Sequence, residues 1–304
     1  MDIIEKNDEH NVQLLYHPFK KLEDPRSTTS LSDLLHCDAI IISSPNSTHF
    51  DYIKKLDSFS GYIFCEKPPA ISYDELEQLK NLPNSKKEKT FFNFNFRFSK
   101  LNETIHHYLN SEFLGDILFI QIIMSQGLAF KNEYKNSWRS DGHKNKFNLL
   151  DTLSIHFLDL ILNNLGSFKN KIYFPKLIAE TGTSYDFGHL ILDFDKVNVS
   201  ILNSYVTPYV SNLTMLGTNG ILTIQDNILE VNSPRDTFDD DHFFKSPPVQ
   251  NSLVFDMQKD YSDSLTNSLE YFLFHVKNKK YFDIHNFDTS LKTTKLILDL
   301  KNGF

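Results

Sequence analysis

The sequence predicts an α/β protein in which a parallel, doubly wound sheet is followed by an α+β domain with a large, mainly antiparallel, open sheet. Two patterns predict this order. Up to Phe98, continuous apolar runs such as Ala39–Ile42 and Tyr62–Cys65 alternate with helix-like segments, which is typical of buried parallel strands. Beyond that point, strand-like runs succeed one another with turns between them. We therefore expect two domains, residues 1–98 and 99–304.

Local signals predict the elements of the first domain in order. Val12–Tyr16 is a short apolar run and predicts a strand. Ser30–Leu35 predicts a short helix that begins at a serine cap, and the Ser72–Glu75 capping box predicts the start of another helix. Phe91–Phe98 alternates phenylalanine with polar residues and predicts a further strand.

The second domain has both helix and strand signals. Leu149–Leu165 predicts an amphipathic helix that a glycine ends, and helices over Ser262–Lys277 and Thr289–Leu300 close the chain. The two glycines of residues 217–220 predict a hairpin turn. The strand-like runs are Ile117–Ser125, Ile172–Ala179, His189–Phe194, Val197–Tyr205, Leu213–Leu216 and Ile221–Ile224.

Composition excludes several classes of protein. A chain of 304 residues with a net charge of −8 lacks the basic surface that a general nucleic-acid binder needs. The two cysteines, Cys37 and Cys65, do not make a disulfide framework, so we expect a reducing, cytoplasmic setting. The polar N-terminus lacks the apolar run of a signal peptide, and no apolar run approaches a membrane span.

Two polar turns follow neighbouring strands of the predicted parallel sheet. Residues 43–49 follow the first strand, and residues 66–69 follow the next. Ligands of open parallel sheets bind at this carboxyl edge. Lys67 stands between a buried strand and two prolines, so its ammonium is placed to donate to a substrate hydroxyl. The alternative is a solvated lysine paired with Glu66.

A second group of polar residues lies on the predicted helix Leu149–Leu165. Asp151, His156 and Asp159 interrupt an otherwise apolar pattern, and His156 and Asp159 share one face. His156 is either a proton donor and acceptor or a hydrogen-bonded core histidine. The acidic run 236–242 has no second cluster at a metal-ligand spacing, so we predict a solvated loop and no metal.

Taken in order, these segments resemble the Gfo/Idh/MocA family of NAD(P)-dependent sugar oxidoreductases. The similarity spans roughly residues 12–300, and the E-K-P motif followed by H-x-x-D is its most specific part. The segments that carry it are residues 38–56, 61–70, 93–98, 155–166 and 216–231.

The resemblance implies a Rossmann-type domain and a second domain whose open sheet makes a homodimer or homotetramer. It also implies hydride transfer between NAD or NADP and a sugar, nucleotide-sugar or related polyol. By this resemblance, Lys67 is the active-site lysine and His156 the proton-relay histidine, with Asp151 as a further catalytic candidate. The positions matched to the nicotinamide end of the cofactor site are Ser44, Pro45, Asn46, His49, Glu66, Lys67 and Asn95, with Arg97 on the same predicted strand.

The sequence departs from the family pattern in two places. The family has an aspartate four residues before the histidine, where this chain has Thr152; Asp151 is five residues before and, at about 100° per residue, lies off the His156 face. The first glycine is Gly61, so the family's first strand and glycine-rich phosphate turn are missing and the Rossmann domain is N-terminally incomplete.

Two hypotheses follow for the function. The first is a dehydrogenase or reductase with Lys67 and His156 at the reacting hydroxyl. The second is a catalytically inactive family member that serves in binding or oligomerisation. Because the pyrophosphate cradle is missing, we expect this chain to bind dinucleotide weakly under either hypothesis.

Overall fold

The chain divides into two compact units. The computed structural model describes residues 2–5, 10–235 and 238–303, so the first two residues of the predicted acidic loop lie outside it. The first unit comprises residues 1–94 and 266–295, and the second comprises residues 95–265 and 296–304. The change of unit after Phe94 lies close to the predicted boundary at Phe98. The grouping of residues 266–295 with the first unit differs from the simple N-terminal and C-terminal division expected from sequence.

The first unit contains two small parallel sheets. Strand β1 (Leu15–Tyr16) pairs with β2 (Ser27–Thr28). Strands β3 (Ala39–Ile42), β4 (Tyr62–Glu66) and β5 (Thr90–Asn93) form a separate sheet in the order β3-β4-β5. The helices of this part of the chain are α1 (Asp2–Glu5), α2 (His49–Lys55), α3 (Tyr73–Lys80), α4 (Asn84–Lys87) and the 3₁₀ helices Leu31–His36 and Asn46–Thr48. Together these elements confirm a parallel α/β arrangement.

The predicted capping box at the start of α3 is confirmed. The Ser72 hydroxyl accepts a hydrogen bond from the Glu75 amide at 3.3 Å. The Glu75 carboxylate in turn accepts from the Ile71 amide at 2.7 Å. These bonds satisfy amide groups that have no partner within the helix, so the helix begins at the residue that the sequence indicates.

Aromatic packing explains why residues 266–295 group with the first unit. The Phe64 ring lies 5.3 Å from that of Phe272, and the Phe91 ring lies 5.4 Å from that of Phe282. Phe287 packs against Phe92 at 5.0 Å. Buried aromatic side chains contribute large apolar areas, so these contacts supply much of the sheet's core.

The second unit is organised around one eight-stranded sheet with the order β13-β12-β11-β10-β6-β9-β8-β7. Strands β6 and β9 run parallel, and every other neighbouring pair is antiparallel, so the predicted large and mainly antiparallel sheet is confirmed. The strands are β6 (Ile117–Ser125), β7 (Asn170–Lys176), β8 (Phe187–Asp193), β9 (Asn198–Ser204), β10 (Val210–Gly217), β11 (Ile221–Gln225), β12 (Ile228–Asn232) and β13 (Val249–Val254).

The hairpin predicted at residues 217–220 joins β10 to β11. Gly217 lies so close to the preceding segment that an added Cβ would stand 2.0 Å from the Leu114 carbonyl oxygen. A side chain at this position therefore requires the backbone to move, which explains the glycine.

Four longer helices complete the chain. They are α5 (Lys100–Leu109), α6 (Ile155–Leu165), α7 (Met257–Lys277) and α8 (Ile284–Lys301), with 3₁₀ helices at Asn95–Phe98, Leu128–Phe130 and Asn132–Asn136. In the described ranges, none of the helices combines the length and the apolar character that crossing a membrane requires.

The predicted strand over Phe91–Phe98 is wrong in its second half. Strand β5 ends at Asn93, and Asn95–Phe98 forms a 3₁₀ helix. The alternation predicts a strand, but Asn95 and Arg97 hydrogen-bond to Ser264 and Asp159, and these tertiary contacts accompany the helical form.

Candidate functional site

The polar turns that follow β3 and β4 are tied together by one histidine. The His49 imidazole is fully buried at 0% exposure. Its Nε2 lies 2.8 Å from the Ser44 carbonyl oxygen, and its Nδ1 lies 2.8 Å from the Pro68 carbonyl oxygen. The Thr48 hydroxyl donates to the Ser44 hydroxyl at 2.7 Å. His49 therefore fixes the positions of the two turns, whereas its predicted contact with the cofactor stays a prediction.

Glu66 is the last residue of β4, and Lys67 follows it. The Glu66 carboxylate accepts a hydrogen bond from the Asn93 amide at 2.8 Å, and the Asn93 carbonyl accepts one from the Ser268 hydroxyl. Lys67 is half-buried and is followed by the buried Pro68. The first unit thus places three predicted residues, Ser44, Glu66 and Lys67, at the carboxyl edge of its sheet, where ligands of this architecture bind.

Asn95 and Arg97 belong to the second unit, on the 3₁₀ helix that follows β5. The buried Asn95 amide donates to the Ser264 hydroxyl at 2.7 Å. Arg97 makes a two-pronged ion pair with Asp159, with Nε at 2.8 Å and the terminal nitrogen at 2.6 Å from the two carboxylate oxygens. The two side chains are 9% and 1% exposed. Asp159, which the sequence places on the His156 face, is therefore held by Arg97.

A π-helical turn precedes α6 and changes the predicted helical geometry. Residues Leu150–Ser154 are π-helical, and the regular helix begins only at Ile155. A π turn takes up one more residue than an α turn, so a constant 100° per residue from Leu149 is wrong for this segment. The turn provides a physical account of the extra residue between Asp151 and His156.

Asp151 lies within this π-helical turn, and hydrogen bonds hold its carboxylate. Its carboxylate is 2% exposed and accepts hydrogen bonds from Lys301 Nζ and the Asn145 amide, each at 2.6 Å. Thr152, rather than Asp151, lines the cavity described below. Its hydroxyl contacts the Asn148 carbonyl oxygen at 2.7 Å and the Tyr205 hydroxyl at 2.6 Å.

His156 lines a cavity of about 490 Å³ within the second unit. This volume falls in the range of about 300–1,000 Å³ that is usual for small-molecule sites. His156 is 8% exposed, with its ring 5.4 Å from that of Phe96 and 6.3 Å from that of Tyr261. The other lining residues are Met124, Gln126, Arg139, Thr152, Leu153, Phe157, Tyr205, Tyr209, Met257 and Gln258.

The cavity includes polar side chains that sequence reasoning missed. Tyr205 is buried at the end of β9, and burial raises the pKa of its phenol, although the Thr152 hydrogen bond and Arg139 oppose the rise. Trp138 and Arg139 are adjacent in the sequence, but they belong to no motif that connects them to His156. Gln126 and Tyr205 come from distant strands, so no local spacing could connect them to His156.

Most of the first unit matches a known protein family. Residues 7–94 match the profile of the Gfo/Idh/MocA oxidoreductase family, whose description is an NAD-binding Rossmann fold. The match to this family is therefore shown for residues 7–94 of the chain. The resemblance inferred from the sequence motifs is therefore confirmed, and so, at the level of the family, is the predicted cofactor class of NAD or NADP.

Individual members of the family show how far the similarity extends. A glucose-6-phosphate 3-dehydrogenase of Bacillus subtilis is 26% identical over 145 residues, which cover 47% of this chain and 41% of that enzyme. The aligned regions span 40% to 58% of the length of the curated relatives that the chain matches.

Two solved structures of Gfo/Idh/MocA type show the fold. A myo-inositol dehydrogenase from Corynebacterium glutamicum has a TM-score of 0.71 at 17% identity and covers 99% of this chain and 92% of its own. An oxidoreductase from Agrobacterium radiobacter, in complex with NAD⁺, L-tartaric acid and magnesium, has a TM-score of 0.71 at 16% identity, covering 92% and 83%. The predicted fold class is confirmed by both.

The first unit fits one end of the family's cofactor better than the other. The turns after β3 and β4 offer fixed polar groups at the ligand-binding edge, as a nicotinamide requires. A pyrophosphate is normally held by a glycine-rich turn leading into a helix. The first glycine of the chain, Gly61, stands at the opposite end of β4, and the described residues of the first unit contain no glycine-rich turn.

Metal chemistry has no visible basis in the described part of the chain. In residues 2–5, 10–235 and 238–303, no three His, Cys, Asp or Glu side chains cluster as metal ligands would. Asp239, in the acidic loop, accepts hydrogen bonds from the Asp241 and Phe243 amides, as in an exposed turn. The absence of a metal stays a prediction.

Proposed function

We propose that this chain is an NAD(P)-dependent oxidoreductase that transfers hydride to or from a sugar, nucleotide-sugar or related polyol. The observation that carries the proposal is the cavity in the second unit, where His156 stands among hydroxyl and amide groups. Gln126, Thr152, Tyr205 and Gln258 offer both donors and acceptors, which a polyhydroxylated ligand matches. The names of the curated relatives, glucose-6-phosphate 3-dehydrogenase and inositol dehydrogenases, support the same substrate class.

His156 has the surroundings that a proton relay requires. Phe96 and Tyr261 restrict the orientation of the imidazole, while its presence in the cavity wall keeps it accessible to ligand. Imidazole exchanges a proton at physiological pH, so His156 takes the proton from the reacting hydroxyl in oxidation and returns it in reduction. A bound nicotinamide supplies or accepts the hydride in this chemistry.

Lys67 is proposed as the second group at the reacting hydroxyl. The support is its match to the active-site lysine of the family and its half-buried position after β4. A compact ammonium donates to an alcohol oxygen and stabilises negative charge on it. Ser44, Pro45, Asn46, His49, Glu66 and Asn95 are proposed to act at the nicotinamide end, and the choice between NAD and NADP stays open.

The test is a panel of alcohols and ketones offered to the 304-residue chain with NAD⁺, NADP⁺, NADH or NADPH, with absorbance of the reduced nicotinamide as the readout. We expect turnover with a sugar or polyol. Loss of a positioned acid or base lowers the rate about 10²–10⁴-fold, so His156→Ala and Lys67→Ala should each lower kcat by that factor. The control is His143→Ala, which changes an exposed histidine of the same unit. Unchanged kcat in His156→Ala would place the proton relay elsewhere.

A second candidate function is that of an inactive family member used for binding or oligomerisation. The observation that favours it is the lack of a glycine-rich turn in the described residues of the first unit. Under this alternative, NADH and NADPH bind no more tightly than millimolar, and no alcohol of the panel turns over. Turnover of any alcohol of the panel would reject it. Micromolar binding of either dinucleotide, measured by titration calorimetry, would contradict the weak binding expected from the sequence.

The assembly and the setting are part of the proposal. Apolar side chains such as Ile172 and Phe174 of β7 are exposed, and apolar patches on sheets are usual interfaces. This supports a homodimer or homotetramer. Cys37 and Cys65 are both free thiols, which supports a reducing, cytoplasmic setting. Proposed partners are a sugar-like small molecule, without nucleic acid or membrane.

A further inference from the structure

The cavity that contains His156 has an unusual distribution of charge. Arg139 contributes a guanidinium to its wall, while none of the described residues that line it is an aspartate or a glutamate. The chain as a whole carries a net charge of −8, so this site is positive within an acidic protein. A local positive charge in a cleft attracts anionic ligands over a surface that otherwise repels them.

Arg139 differs from the other half-buried arginines in its partners. Arg97 pairs with Asp159, and Arg26 pairs with both Asp24 and Glu5. For Arg139, no carboxylate of the described residues lies within ion-pair distance. Its guanidinium instead stacks on the ring of Trp138, at 4.4 Å from the centroid. The guanidinium also hydrogen-bonds the Tyr205 phenol, so an aromatic face and a neutral hydroxyl orient it while its charge has no carboxylate partner among the described residues.

The chemistry of the guanidinium indicates what that ligand carries. Its planar fork of N–H donors matches the two oxygens of a phosphate or carboxylate, with which it forms charge-assisted bonds. A neutral hydroxyl would leave most of the fork unused. Tyr205 and Thr152 already hydrogen-bond to each other at 2.6 Å in the same cavity, and both are neutral. The hydrogen bond from Arg139 to the neutral Tyr205 phenol leaves the guanidinium charge uncompensated, and a bound anion would compensate it.

We propose that the sugar-like substrate carries an anionic group, either a phosphate ester or a carboxylate, and that Arg139 binds this group. The inference rests on the proposed function for the identity of the remaining substrate. It deepens that function by dividing the cavity: Arg139 holds the charged end and His156 serves the reacting hydroxyl. Neutral sugars and inositols would then lack one of the two anchoring contacts.

Trp138 provides a direct readout, because it is the only tryptophan of the chain and it contacts the Arg139 side chain. The experiment titrates the 304-residue chain with glucose 6-phosphate, gluconate, glucose and inorganic phosphate while Trp138 emission is followed. We expect glucose 6-phosphate or gluconate to bind at least tenfold more tightly than glucose. Whichever of the two binds more tightly identifies the anion as a phosphate or a carboxylate.

Variants at the same position test the role of the guanidinium. Arg139→Ala should bring the affinity for the anionic ligand down to that for glucose, a loss of tenfold or more. Arg139→Lys should recover part of it, since the charge remains and the fork is lost. Arg235→Ala is the matched control, because that arginine is exposed, does not line the cavity, and its guanidinium donates to the Thr218 carbonyl oxygen.

The outcomes separate this inference from the proposed function. If neither anionic sugar binds more tightly than glucose, or if none of the ligands binds, the inference is overturned whatever the enzymatic activity. If the preference survives in Arg139→Ala, the anion is bound by another group and the inference is again overturned. Arg139-dependent binding without hydride transfer would uphold the inference and reject the function.

Discussion

The three-stranded sheet of the first unit and the eight-stranded sheet of the second carry different shares of the candidate site. The first sheet fixes two turns through His49 and the Glu66–Asn93 hydrogen bond, but the described residues supply no cradle for a pyrophosphate. The second unit contains a complete cavity with His156 and Arg139 in its wall. Because the wall of this cavity is formed by residues of the second unit, ligand binding to the cavity is testable without the dinucleotide.

The largest expected effect concerns the buried ion pair of the second unit. Arg97→Met would leave the Asp159 carboxylate buried without its partner, which typically costs about 3–5 kcal/mol of unfolding free energy. In the first unit, Asn93→Ala removes an amide that donates to Glu66 and a carbonyl oxygen that accepts from Ser268, and we expect a loss of about 1–3 kcal/mol. Urea denaturation of both variants measures the difference.

A double variant serves as the control for this comparison. Replacing both partners, as in Arg97→Met with Asp159→Leu, removes the uncompensated charge and should recover most of the lost stability. Equal losses in the single and double variants would mean that packing, rather than the charge of Asp159, determines the stability of this segment.

An intermediate effect is expected at the π-helical turn. Asp151→Asn weakens the contact with Lys301, so we expect a loss of about 2 kcal/mol in unfolding free energy, in the range for hydrogen bonds to charged groups. Its effect on kcat should stay below tenfold, because Asp151 does not line the cavity. Steady-state kinetics beside urea denaturation separates the two effects. A loss of kcat as large as that of His156→Ala would show that Asp151 acts in catalysis.

The smallest effect is one of pH. Burial raises the pKa of Asp260 above the usual 3.8, although its carboxylate accepts hydrogen bonds from the Lys100 and Leu101 amides. As the pH rises from 3.8 to the raised value, the unfolded chain releases this proton before the folded one, so the contribution of Asp260 to stability falls. Asp260→Asn should remove this fall in the free energy of unfolding, as measured by urea denaturation across the acid range.

A second aspartate gives the opposite sign. Lys169 lowers the pKa of the exposed Asp195, so its small stabilising contribution is present above 3.8 and is lost as the pH falls through the lowered value. The contribution of Asp195 to the free energy of unfolding therefore rises slightly with pH, and Asp195→Asn should remove that rise. If both variants change the acid dependence in the same direction, burial is not what governs the titration of Asp260.

Much of the first unit was predictable from sequence because its signals are local. The apolar runs of β3 and β4 and the Ser72 cap each fix a local conformation and were found where expected. The 3₁₀ helix Asn95–Phe98 was not, because its form depends on the partners that Asn95 and Arg97 find in α6 and α7. Hydrogen bonds to residues distant in sequence cannot be predicted from the local pattern of apolar and polar residues.

The candidate site was predictable only in part, for a related reason. Lys67 and His156 stand in motifs whose spacing survives in the sequence. Arg139 and Tyr205 reach the cavity from segments that are distant in sequence, and the π turn alters which residue of the helix faces it. One residue inserted into a helix changes its facing side chains, and only the hydrogen-bond pattern reveals where the insertion is absorbed.

The first unit is built from both ends of the chain, and this determines when it becomes stable during synthesis. Phe64 and Phe91 emerge early from the ribosome, whereas their partners Phe272 and Phe282 are synthesised about two thirds of the chain length later. Contacts between segments so far apart form slowly, because a long loop closes before they give any stabilisation. Most of the second unit, residues 95–265, is synthesised before Phe272 and Phe282. During that time the Phe64 and Phe91 side chains of the nascent first sheet lack the aromatic partners that bury them.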